Sequence, residues 1–233
     1  DALIPCSLDG PNFNDCLLKN LQVIFVNWTD GLPGTNTVGP VDPFFIKQLK
    51  LSRSSPKIDN NPININVDVK NIRVSGVSQA KLIDLNYDPN QHLVKAVLYI
   101  PKLRFDSDYK VKGNVLLLNL NGQGKGFFET EKVTAHLAVS VKARATPDAT
   151  FCDVQSVKVG FPEIGGFKIK LDNLFGGDKQ LEEAAHAIFN ENWRQFYEIL
   201  QPAIEEAIQA VMLDRTKKIF NYVPANYILE NFH

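Results

Sequence analysis

The chain has 233 residues, 44% of them apolar and 22% charged, with 25 basic and 26 acidic side chains for a net charge of −1. This length fits one large domain or two small ones, and the charge balance gives no electrostatic reason to expect nucleic acid, an anionic membrane or an acidic substrate as partner. No run of about 18 apolar residues occurs, so nothing reads as membrane-spanning and no stable insertion into a bilayer is expected.

Cys6 and Cys16 lie close together near the start, and Cys152 stands alone. The short Cys6–Cys16 loop suggests a disulfide worth about 2–3 kcal/mol on the chain-entropy estimate, which points to an extracellular protein. The sequon Asn27-Trp28-Thr29 agrees with secretion and makes Asn27 a candidate glycosylation site. Asp1 reads as a mature terminus left by a removed signal peptide. A first helix is predicted from Asn14 or Asp15, which can cap it, and carries Leu17, Leu18, Leu21, Ile24 and Phe25 until Asp30-Gly31 stops it. A connector rich in Pro and Gly follows, ending in Phe44-Phe45-Ile46.

From residue 63 the apolar period becomes two. Ile63, Ile65, Val67 and Val69 alternate with polar residues, as do Leu103, Phe105, Tyr109 and Val111 and the run Val133, Ala135, Leu137, Val139, Val141, Ala143. Val157, Val159 and Phe161, then Phe167, Ile169 and Leu171, form two more stripes. Strict alternation means one dry face and one wet face, which is the habit of antiparallel sheets. Asn121-Gly122-Gln123-Gly124 and Pro162 to Gly166 are predicted as the turns of a meander.

At Asp178, a credible N-cap followed by Glu182 and Glu183, the period changes to 3.6 and holds to Val223, just before Pro224. The stripe contains Leu181, Ala184/Ala185, Ile188/Phe189, Trp193, Phe196, Ile199/Leu200, Ala203/Ile204, Ala207/Ile208, Val211 and Ile219. Asp214 and Lys218 form an i,i+4 pair, and Pro202 is predicted to kink the helix without ending it. Such a helix approaches about 60 Å and needs an extended partner, for which the dry sheet face is the candidate. Small inward residues such as Ala135, Ala143 and Ala203 stand opposite bulky ones such as Phe105, Trp193 and Phe196. Periodicity alone leaves two outcomes open, a fully packed core or an apolar cavity.

Motifs for chemistry are absent. Neither GxSxG nor HExxH occurs, and His92, His136, His186 and His233 lack metal-ligand spacing, so no catalytic residue, metal or cofactor is expected. The run Gly122-Gln123-Gly124-Lys125-Gly126 lacks the Lys-Ser/Thr and helix start of a phosphate loop and reads as a hairpin turn. Most of Glu182, Glu183, Glu191, Glu198, Glu205 and Glu206 fall off the stripe and read as solvated helix surface.

Leu171-Asp172-Asn173-Leu174-Phe175-Gly176-Gly177-Asp178, Phe189-Asn190-Glu191-Asn192-Trp193-Arg194 and Pro202-Ala203-Ile204-Glu205-Glu206-Ala207 closely resemble the C-terminal region of the insect takeout and juvenile hormone-binding proteins. The Cys6/Cys16 pair, Gly31-Leu32-Pro33 and Pro40-Val41-Asp42-Pro43-Phe44 extend the resemblance over essentially the whole chain. It implies a single α+β domain over 1–233, with a long C-terminal helix wrapped by a highly curved antiparallel sheet and a short N-terminal helix, the single-unit form of the tubular lipid-binding architecture. It also implies an internal tunnel for a lipophilic ligand (fatty acyl, prenyl or juvenile-hormone-like), a monomeric secreted carrier in haemolymph or another extracellular fluid, and no catalysis. A lipid-transfer protein working at a membrane surface is the alternative. The residues expected to line the tunnel are Phe44, Tyr99, Phe105, Tyr109, Phe127, Phe128, Val139, Val141, Trp193, Phe196, Leu200 and Ile204. Two departures stand out. The hormone carriers place a partner for the cysteine matching Cys152 on the long helix, whereas 179–223 holds no cysteine here, and their ligand-contacting tyrosine is matched by Phe128, which has no hydroxyl.

Overall fold

The computed structural model describes residues 3–58, 61–116, 118–230 and 232, with backbone only at 55–58, 61 and 62. A two-residue strand β1 (Cys6–Ser7) precedes helix α1 (Phe13–Asn27). Then come β2 (Phe44–Ile58), β3 (Asn61–Ser75), β4 (Lys81–Asp88), β5 (Leu93–Val115), β6 (Leu118–Ala145), β7 (Thr150–Glu163) and β8 (Gly166–Leu171). Helices α2 (Lys179–Glu191) and α3 (Trp193–Tyr222) and a short β9 (Leu229–Glu230) complete the chain. The seven long strands form one antiparallel sheet in the order β2-β3-β5-β6-β7, with β4 beside one half of β5 and β8 beside one half of β6. This is the curled sheet around a long C-terminal helix that the sequence predicts.

The sheet curls because its strands are interrupted by extra residues, and a bulge bends a strand and raises its twist. Register shifts fall between Lys70 and Arg73, between Leu82 and Asp84, and twice along the β6–β7 pair. β5 and β6 also change face together. Inward residues on β5 are Ala96, Leu98 and Ile100, then Leu103, Phe105, Tyr109 and Val111. On β6 they are Leu120, Phe128 and Thr130, then Val133, Ala135, Leu137 and Val139, with Lys132 at φ 50° on the bend.

The helices close the open edge of this curl through side-chain hydrogen bonds. Asn190, His186 and Glu182, spaced four apart on α2, accept from the backbone N–H groups of Ile169, Leu171 and Asn173, spaced two apart, at 2.9, 2.9 and 2.8 Å. Glu205 and Gln209 of α3 do the same for Phe161 at 2.9 Å and Val159 at 3.0 Å of β7. Four helical residues and two strand residues advance by nearly the same distance, so Asn190 and His186 follow the open edge of β8, and Glu182 meets Asn173 in the turn just past its end, at φ 62°. Glu182 and Glu205 are therefore not solvated surface, which corrects the sequence reading. Glu182 is 4% exposed, and its carboxyl is held below the usual value by the Lys179 ammonium first and by the Asn173 and Leu174 N–H groups.

Three further corrections concern breaks and turns. The long helix divides at Asn192, whose side chain donates to Ile188 O at 3.0 Å, the local backbone bonding that makes Asn a helix terminator. Pro202 lies exposed inside α3 without ending it. The Gly122–Gly126 run is not a turn but lies within β6. Its glycines occupy successive inward positions, where a Cβ would overlap the carbonyls of Leu174 and Asp172, and at Gly126 would stand 2.6 Å from Leu171 Cδ2. Their bare backbone lets the 170–174 segment lie flat on the strand, and Leu174 becomes fully buried. Lastly, α1 begins at Phe13 with Asn12 in the N-cap position and no side-chain cap, and Asn14, expected as the cap, lies inside the helix and accepts from Tyr87 N of β4. It ends at Asn27, ahead of Asp30-Gly31.

The expected caps and pairs elsewhere are present. Asp178 accepts from Gln180 N and Leu181 N, Lys218 meets Asp214 at 2.7 Å, and α3 stops at Tyr222 with Val223 as its C-cap. Cys6 and Cys16 form the disulfide, with Cα atoms 5.8 Å apart, and Cys152 is free and buried. Beneath that disulfide, Asn20 acts like a strand partner for Ile4, donating to its carbonyl at 2.6 Å and accepting from its N–H at 3.1 Å. β1 pairs with β9, so both chain ends are tied to the same end of the sheet.

Candidate ligand-binding interior

Buried apolar clusters fill both ends of the curl, and a third of comparable size, with Ile72, Val74, Leu98, Ile100, Leu103 and Val133, lies on β3, β5 and β6. At one end Ile63, Val115, Leu120 and Leu174 are at most 2% exposed and pack with Phe189, Phe196 and Ile199. Tyr109 joins them and donates to Asp172 O at 2.8 Å, and burial raises its phenol pKa. At the other end Cys6, Phe13 and Leu17 of the α1 region pack with Leu85, Val223 and Ile228.

The middle of α3 differs. Of the 30 residues of α3 only Phe196 and Ile199, both near its start, are buried. Further on, Ile204, Ile208, Val211 and Met212 all remain partly accessible, although Ile208 and Met212 pack towards β7 and Val211 towards the β2–β5 side. The facing sheet residues Leu49, Val69, Phe105, Leu137, Val139 and Phe161 are partly accessible as well. The middle of α3 and the sheet residues it packs towards are thus less completely buried than the clusters at the two ends. Arg215 secures the β2 side, donating to the carbonyls of Gly39 and Pro40 and lying 4.6 Å above the Phe44 ring.

The residues singled out from sequence divide into four groups. Phe105 and Phe128 face inward and stack at 4.0 Å, with Phe44 in the same central cluster as Phe105. Val139 and Val141 face α3, and Ile204 lies on its partly accessible stretch. Tyr109, Phe196 and Leu200 belong to the end cluster, while Trp193 opens α3 half-buried beside Arg194. Tyr99 and Phe127 stand on the opposite face: Tyr99 pairs with Lys81 and Thr134, and Phe127 with Asp106 and Lys170 beneath the Arg104 guanidinium at 3.9 Å. The change of face at Lys132 is what puts Phe127 outside and Phe128 inside. Sequence reasoning missed Thr130 and Met212, and it read Phe161 and Ile208 as stripe residues without placing them in the tunnel lining. Asn27 is exposed at the last residue of α1.

Two surface depressions of about 460 and 390 Å³ lie away from this interior, against the 30–36 loop and against the start of α1. Among the described residues, no group of three or more His, Cys, Asp or Glu is placed to hold a metal ion. No helix among the described residues is long and apolar enough to cross a membrane.

The family model for haemolymph juvenile hormone binding protein matches residues 1–230. The chain belongs to that family. Takeout 1 of Epiphyas postvittana superposes with a TM-score of 0.83 over 97% of this chain and 99% of its own, at 19% identity, which places this family member in the takeout fold. The circadian clock-controlled protein daywake of Drosophila melanogaster is 19% identical over 221 residues, covering 92% of this chain and 83% of its own. The resemblance read from the sequence is thereby shown, and with it a fold built to bind hydrophobic ligands.

Proposed function

We propose that this protein is a secreted, monomeric, non-enzymatic carrier that holds a hydrophobic small molecule between the concave sheet face and α3. The observation that carries the reading is the partly accessible apolar stretch of α3, where Ile208, Val211 and Met212 pack towards the sheet without being buried. Apolar surface left accessible inside a fold is costly at about 25 cal/mol per Å² and is relieved by an apolar guest. Phe105, Phe128, Phe44, Val139, Val141 and Ile204 are the proposed lining, and Tyr99 and Phe127 are left out of it. The Cys6–Cys16 disulfide and the exposed sequon asparagine support an extracellular setting, with Asn27 as the glycan site. Family membership supports juvenile-hormone-like, fatty acyl and prenyl compounds as the classes to test.

Mass spectrometry of the organic extract from protein secreted by a eukaryotic host tests this directly. A stoichiometric lipid released only on unfolding is expected. Finding none, together with no protection of an added fluorescent fatty acid, would mean that the walls meet and the carrier reading is wrong.

A further inference from the structure

Among the described residues, Thr130 Oγ1 is the buried side-chain nitrogen or oxygen that has no hydrogen-bond partner. The residue is 6% exposed. It faces inward, because its register partners are Leu103 on β5 and Phe167 on β8. Phe128, the preceding inward residue on β6, stacks on Phe105 at 4.0 Å and on Phe167 at 5.6 Å. The hydroxyl therefore ends an aromatic stack, with no protein acceptor for its proton. A buried donor without an acceptor is unfavourable; Oγ1 exposes less than 1 Å², so a ligand oxygen reaches it from the concave face as the apolar side chains around it give way.

The surroundings specify the kind of oxygen. Leu103 and Phe167 flank Thr130 on the neighbouring strands and Phe128 precedes it on the inward face of β6, and all are apolar. The neighbouring charges, Lys102, Arg104, Glu129 and Glu131, lie on the other face and pair with one another there. A carboxylate brought to Thr130 would lose its water for a single hydroxyl donor, whereas a neutral carbonyl, ester or ether oxygen needs only that one bond. Resting on the carrier reading above, we propose that Thr130 is the polar anchor of the interior. Its hydroxyl donates to a neutral acceptor oxygen on an otherwise apolar ligand, and so selects oxygenated lipids over plain hydrocarbons and over ionised fatty acids.

Displacement of N-phenyl-1-naphthylamine by methyl palmitate, palmitate at pH 8 and hexadecane, from wild type, Thr130→Val and Thr130→Ser, tests the proposal. In wild type, methyl palmitate should displace the probe more tightly than palmitate. Thr130→Val should weaken methyl palmitate about 2- to 12-fold, the range that one hydrogen bond supplies, and leave hexadecane unchanged. Thr130→Ser should stay within about twofold of wild type for the ester. The ligand-free Thr130→Val protein should melt no lower than wild type, since it loses an unpartnered hydroxyl and keeps its shape. Equal loss for ester and hydrocarbon, or no loss for either, overturns the anchor and leaves the carrier standing. Palmitate binding wild type as tightly as its ester overturns the selection for a neutral oxygen. If none of the three lipids displaces the probe from wild type, the carrier reading falls and the anchor falls with it.

Discussion

Glu182 sits in the first turn of α2 with one carboxylate oxygen on the N–H groups of Asn173 and Leu174, at 2.8 and 3.3 Å, and the other on Lys179 Nζ at 3.0 Å. Replacing it with Gln removes the ion pair and weakens charge-assisted bonds, and we expect Glu182→Gln to cost about 1–2 kcal/mol by urea unfolding at pH 7. Its folded pKa lies below the ordinary value of 4.5. The carboxylate thus adds stability above that value, and the contribution disappears as pH falls through the folded pKa. The gap between wild type and variant should therefore be full at pH 7 and shrink steadily below about pH 4.5. A gap that is the same at pH 7 and pH 3 would show that the charge does not matter. Helical periodicity places Glu182 off the apolar stripe, and this is true, but it cannot say that a neighbouring strand offers donors there. The legible trace was the spacing of Glu182, His186 and Asn190, three hydrogen-bonding side chains on one line of the helix.

At the level of elements, the strands were readable because each has one dry face, and alternation reports that directly. The breaks were harder. Pro202 is a stronger helix breaker than Asn192 in isolation, yet the helix survives at Pro202, where its missing N–H lies on an exposed turn, and ends at Asn192, where the side chain captures a carbonyl. Likewise glycines normally announce turns, and here three of them flatten a strand because another segment must lie on it. Glu205 and Gln209 join α3 to β7. The double substitution Glu205→Ala/Gln209→Ala should leave the Phe161 and Val159 amides without acceptors and cost about 2–4 kcal/mol. Hydrogen exchange should accelerate at those two amides ahead of the rest of β7. Uniform acceleration along the strand would instead indicate global destabilisation.

Across the whole molecule, the direction that side chains face was legible, but whether facing side chains touch was not. Periodicity assigns Val139 and Ile204 to the interior, and only the distance between the two walls decides whether that interior packs. Packing makes a prediction about Cys152, which is 4% exposed and packs with Ala225 and Phe232 of the C-terminal segment. Burial first, then Asp153, pushes its thiol up to about 12. The thiolate is the reactive form, so native protein at pH 8 should resist iodoacetamide for hours, and the same thiol should react within minutes in denaturant. Fast labelling of the native protein would show that the C-terminal segment opens at that end.

The pairing of helix side chains with strand edges has a built-in limit that works like a vernier. Four helical residues advance about 6.0 Å and two strand residues about 6.6 Å, so each successive rung slips by about 0.6 Å. From Asn190 to His186 the slip is about 0.6 Å, within what side-chain rotamers absorb, and Glu182 meets the chain where β8 has ended, at the Asn173 turn. The next graduation would fall at Arg194, and the helix is interrupted at Asn192, just before it. α3 then starts with its own phase and takes up a second scale against β7 with Glu205 and Gln209. The division of the long helix thus resets the two rulers, and a straight helix joined through position 192 would carry the error of the first scale into the second.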